Sequence, residues 1–98
     1  MTFKTTNPNG FHVTFANGYL VSVQWNSGNY CSDRILGMSE ADRDKPRECA
    51  LVEVAAWNTL TADWVKLSDH DDVAGWQTPD QVLAIMNKVA ALPNAKDQ

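Results

Sequence analysis

Asn17-Gly18 stands between two stretches in which apolar and polar residues alternate, Phe11 to Phe15 and Tyr19 to Trp25. An Asn-Gly pair in that setting is the strongest short-range signal for a β-hairpin, so it constrains the fold more than any other feature of the chain. The length of the turn then decides which side chains meet. A two-residue turn pairs Ala16 with Tyr19 and sets Phe11, Val13 and Phe15 on the face carrying Leu20, Ser22 and Gln24. A three-residue turn, Ala16-Asn17-Gly18 with a left-handed Gly18 at a bulge, pairs Phe15 with Tyr19, Val13 with Val21 and Phe11 with Val23. The second arrangement collects all six apolar side chains on one face, and burial of one face is what sets register. The bulged turn is therefore expected. It leaves His12, Thr14, Ala16, Leu20, Ser22, Gln24 and Asn26 on a reverse face that is either wet or a binding surface.

Cys49 to Trp57 is alanine-rich, but Leu51-Val52 and Val54 favour a strand, and the polar run Asn58 to Asp63 bounds it. Trp64 to Leu67 follows as a short apolar segment, and a second hairpin through Asn58 to Asp63 completes an expected four-stranded meander. Thr78-Pro79-Asp80-Gln81 marks a helix start: a hydroxyl cap, proline at the first helical position, an acid in the first turn and a glutamine that closes a capping box. Val82, Ile85, Met86, Val89 and Leu92 then recur at helical spacing until Pro93 stops the run. The expected class is α+β, an antiparallel β-meander sheet of about four strands packed by one C-terminal α-helix. With 98 residues the chain is read as one domain, with residues 1–10 and 94–98 loosely ordered.

Composition removes several functions. A net charge of −4 and scattered basic residues offer no stripe for a phosphate backbone, so duplex nucleic acid is not an expected partner. No apolar run approaches the ~20 residues of a membrane helix, and the N-terminal residues lack the apolar core of a secretory signal, so a cytoplasmic, reduced protein is expected. Cys31 and Cys49, eighteen positions apart, do not resemble a redox pair and are expected as small buried thiols. Asp69-His70-Asp71-Asp72 has the composition of a metal cluster, yet no calcium-loop spacing follows it, and a solvated turn is the expected reading. No phosphate loop, zinc spacing or serine elbow is present, and His12 and His70 stand in no triad order. Neither an enzyme nor a cofactor is expected. An enzyme working through Glu53 or His12 is the third-ranked reading, and no substrate can be named for it.

Chemistry is sought instead in the connection from Asn26 to Glu48, about two dozen residues where compact domains usually use ~4 to 6. Asn26, Asn29, Tyr30 and Arg34 supply amide, aromatic and guanidinium groups around the permissive Gly28, a set suited to a polar planar ligand. The plainer alternative is an ordered loop whose side chains satisfy their own turns, with Ser39-Glu40-Ala41-Asp42 starting one helical turn. Of the four tryptophans, Trp25 and Trp57 are placed near this loop, and Trp64 and Trp76 over the sheet. Glu53 is expected on the solvent face, or else buried with a partner such as Arg34. The candidate ligand-binding residues are thus Gln24, Trp25, Asn26, Asn29, Tyr30, Arg34 and Trp57, with no catalytic or metal-binding residue.

The runs Phe15-Ala16-Asn17-Gly18-Tyr19-Leu20-Val21-Ser22-Val23-Gln24-Trp25, Gly28-Asn29-Tyr30-Cys31, Glu53-Val54-Ala55-Ala56-Trp57 and Asp72-Val73-Ala74-Gly75-Trp76 together resemble a group of small uncharacterised bacteriophage proteins. That resemblance implies a phage or prophage product acting in a bacterial cytoplasm. Two counter-defence functions follow by association: a sponge that sequesters a nucleotide-derived immune signal, as a homodimer, or an anti-CRISPR-like inhibitor that covers a host defence protein.

Overall fold

The computed structural model describes residues 1–6, 9–25, 49–67 and 72–97. The fold is α+β. Among the described residues, five antiparallel strands form an open meander in chain order: β1 (Thr2–Thr5), β2 (Gly10–Thr14), β3 (Tyr19–Gln24), β4 (Val52–Asn58) and β5 (Val73–Gln77). Among these residues one α-helix, α1 (Pro79–Ala90), lies across one face of this sheet.

The opening hairpin has the register expected of the bulged turn. Val13 faces Val21 and Phe11 faces Val23, while the Phe15 amide donates to the Tyr19 carbonyl at 2.9 Å. Gly18, at φ +89°, closes the turn by donating its amide to the Phe15 carbonyl at 3.0 Å. Period-two alternation then carries one apolar face across three strands, where Val13, Tyr19, Val21, Val23, Val54 and Ala56 form the core with Val82 and Val89 of α1. Ile85, Met86 and Leu92 pack against the same cluster, as the helical spacing predicts. The capping box is complete: the Gln81 amide donates to the Thr78 hydroxyl, and the Thr78 amide donates to the Gln81 side chain.

Four expectations need correction. The fourth strand was expected at Trp64 to Leu67, but that segment makes a single bridge, Trp57 to Trp64, and Val73–Gln77 takes the place beside the first half of β4. A bulge opposite Val52 and Val54 leaves Gly75 and Trp76 outside regular pairing, with Trp76 at φ 57°. A glycine and a left-handed tryptophan hide that strand from a reading based on alternation. At the N-terminus, Thr2–Thr5 is an edge strand on β2; all four residues are exposed, so no burial pattern betrays it. At the other end, where fraying was expected, Ala95–Asp97 forms a 3-10 turn with Ala95 only 1% exposed. The Ala95 amide donates to the Asn17 carbonyl at 2.7 Å, and the Asn58 side chain donates to the Ala95 carbonyl at 3.1 Å. Finally, Cys49 is disulfide-bonded rather than a free thiol. Cys31, the only other cysteine of the sequence, lies outside the described residues.

Candidate functional site

Because alternate strand residues face opposite ways, every side chain on the reverse face of the sheet is settled by the hairpin register. One transverse row runs Lys4, His12, Ser22, Ala55, Val73, and the next runs Thr14, Leu20, Trp57. The Trp57–Trp64 bridge puts both indoles on this face, since directly paired residues share a side. Their rings lie 5.4 Å apart and tilted by 39°. The His12 imidazole meets Trp57 edge-on, 5.4 Å between centroids and 89° between planes. Trp64 stays 50% exposed, so the cluster presents an open aromatic surface, and Lys4 pairs directly with His12 on the edge strand. Burial, and secondarily the Lys4 ammonium, hold the His12 imidazole below its ordinary value of 6.5, so at neutral pH it is an uncharged ring with one donor and one acceptor.

Gln24 and Glu53 face each other at the far end of this surface. The Gln24 amide donates to the Thr6 hydroxyl at 2.7 Å and to the Ser22 hydroxyl at 3.2 Å, so both its hydrogens brace the start of the hairpin. A side chain at Gly10 would run into Gln24 and Thr6. Glu53 is half-buried on this face.

Trp25 and Trp57 do not form one site. Trp25 continues the odd-numbered series of β3, packs against the core and meets Phe11 edge-on at 6.3 Å, whereas Trp57 is on the opposite side of the sheet. Asn26, Asn29, Tyr30 and Arg34, the expected turn at Ser39 to Asp42, and Asp69, His70 and Asp71 lie outside the described residues. The sequence reading missed Trp64 and Lys4 as members of a site, and named His12 only as part of the reverse face and as a residue of the third-ranked enzyme reading. Lys4 was invisible without β1. Trp64 was findable, because a hairpin through Asn58 to Asp63 already places it opposite Trp57.

A separate cavity of about 260 Å³ opens between α1 and β4, lined among the described residues by Phe11, Val23, Val52, Val82, Met86 and the polar Gln77. These walls suit an apolar group. Among the described residues no cluster of His, Cys, Asp and Glu is placed to hold a metal ion, and no helix is long and apolar enough to cross a membrane.

No family model, curated protein or solved structure matches the chain.

Proposed function

We propose that this chain is a non-enzymatic binding protein of phage type that sequesters a nucleotide-derived signal on the reverse face of its sheet. The observation that carries the reading is the Trp57–Trp64 indole pair flanked by His12 on the face of the sheet opposite the core. Stacking a flat base on an aromatic is worth roughly 1 to 3 kcal/mol per base, and Lys4 stands beside the platform to meet a phosphate. A homodimer belongs to the same proposal, because a single open face shields a small ligand on one side only.

The bacterial cytoplasm is where such a signal would be met. The Cys49 disulfide weighs against that compartment, since structural disulfides are rare where thiols are kept reduced. Titration calorimetry with a panel of cyclic and linear nucleotides, with quenching of tryptophan fluorescence as second readout, tests the ligand class. Neither heat nor quenching across the panel removes it.

A protein partner is favoured by a different observation. Phe3 is 80% exposed on the strand that ends the sheet, beside a cavity of about 200 Å³ lined by Met1, Phe3, Val13 and Phe15. An inhibitor that adds its edge strand to a host protein would use that side. Capture of a defence protein by the wild type and its loss on Phe3→Glu would establish this second reading, and retention by both would end it.

A further inference from the structure

The sequence contains two Asn-Gly pairs, Asn9-Gly10 and Asn17-Gly18. In an open chain such a pair is chemically labile. The glycine nitrogen, unshielded by any neighbouring side chain, attacks the side-chain carbonyl carbon of asparagine. A new C–N bond closes a succinimide, and the side-chain nitrogen departs as ammonia carrying the proton lost by the glycine amide. Water then opens the ring at one of its two carbonyls and leaves aspartate or isoaspartate.

At Asn17 the fold occupies every group this reaction needs. The attacking nitrogen of Gly18 donates its hydrogen to the Phe15 carbonyl at 3.0 Å. The leaving nitrogen, Asn17 Nδ2, donates to three carbonyls at the end of α1: Val89 at 2.9 Å, Leu92 at 3.0 Å and Ala90 at 3.3 Å. The side-chain carbonyl accepts from the Tyr19 amide at 3.1 Å, a bond that must break before its carbon can swing onto the Gly18 nitrogen and close the ring. From the other side the Gly18 carbonyl is held by the Thr59 amide at 3.1 Å and the Thr59 hydroxyl at 2.6 Å. The hairpin tip is thus gripped between the helix end and the turn after β4.

We infer that Asn17 is a fold-gated deamidation site: inert while the helix end rests on the hairpin, reactive once it lifts, and unable to rebuild the contact after conversion. The last clause follows from charge. A carboxylate at this position only accepts hydrogen bonds, yet it would face three carbonyl oxygens at a helix terminus where the peptide dipoles already concentrate negative charge. Isoaspartate additionally lengthens the backbone inside a turn that has no spare length. Opening of the C-terminal helix is therefore made irreversible by chemistry, and the protein carries a one-way limit on its lifetime that depends on how often that helix undocks.

The experiment incubates the full chain at mildly alkaline pH, in buffer and in unfolding urea, and follows both Asn-Gly sites by tandem mass spectrometry. Asn9 and Asn17 are expected to convert at comparable rates in urea, and Asn17 in buffer at least about tenfold more slowly than Asn17 in urea, the factor set by an opening that costs ~1.4 kcal/mol. Val89→Ala, which loosens the helix, is expected to speed conversion of Asn17 in buffer. Equal rates for Asn17 in buffer and urea overturn the gate. The one-way step is read from wild type aged in urea and then refolded. Refolding yield is expected to fall in step with conversion at Asn17, and a yield indifferent to conversion overturns it whether or not Asn17→Asp itself folds.

Discussion

Gly18→Ala isolates the contact on which both the hairpin and the C-terminal turn depend. Gly18 sits at φ +89°, where a β-carbon costs about 1 to 2 kcal/mol. That carbon would also lie 2.9 Å from the Ala95 β-carbon, well inside the ~3.5 to 4.0 Å of a normal carbon contact, and overpacking of this kind costs about 1 to 3 kcal/mol. Together they remove roughly 2 to 5 kcal/mol from a domain whose total stability is of order 5 to 15 kcal/mol. Ala95→Gly separates the two parts. Alone it is destabilising, because it strips a buried methyl; combined with Gly18→Ala it relieves the overlap and leaves the backbone strain. The double variant is expected to be more stable than the sum of the singles by about 1 to 2 kcal/mol. Urea unfolding followed by tryptophan fluorescence measures all four corners of the cycle. A Gly18→Ala cost below ~0.5 kcal/mol, or additivity within ~0.5 kcal/mol, would refute the contact as described.

Ala62, at φ 63° in an exposed turn, is expected to tolerate glycine with a gain of about 0.5 kcal/mol in urea unfolding, since relief of left-handed strain outweighs the added freedom of the unfolded chain. His12 is held below 6.5 in the folded state, so its contribution to stability is complete above that pH and is lost as pH falls from 6.5 through the lowered folded value; the urea midpoint of His12→Gln should vary less over that window than that of wild type. Trp57→Ala and Trp64→Ala are each expected to weaken binding of any nucleotide found by calorimetry by about tenfold or more, while Trp25→Ala lowers stability and leaves affinity unchanged in the protein that remains folded.

Legibility in the sequence followed the range of the interaction. Register was readable at Phe15 and Tyr19 because turn chemistry and period-two burial are local and agree with each other. The helix start was readable because Thr78 and Gln81 satisfy one another across three residues. β5 was not, since Gly75 and Trp76 break the alternation that identifies a strand, and the strand exists only because β4 offers it an edge. The same limit governs the site. Alternation alone puts Trp25 and Trp57 on opposite sides once β3 and β4 are paired, but that pairing crosses the long connection after Trp25 and has no local signature.

Asn17 shows where a local reading could have gone further. It was legible as a turn residue and silent as a cap, for its amide reaches carbonyls more than seventy positions away. The helix end, however, announces a deficit. Ala91-Leu92-Pro93 follows α1 with no glycine to adopt the left-handed cap, and Ala91 stays right-handed at φ −90°. The amides of Ala91 and Leu92 reach back only to the Asn87 and Val89 carbonyls, so the carbonyls of Ala90 and Leu92 are left for another donor, which the Asn17 side chain supplies. An asparagine in a tight hairpin suits that task, because its carbonyl is already engaged by the turn and its amide hydrogens point outward. A helix terminus without a glycine cap and an asparagine-bearing turn are therefore a matched pair of signals, and the bond between them makes one residue both a lock of the fold and an amide protected only while that lock is closed.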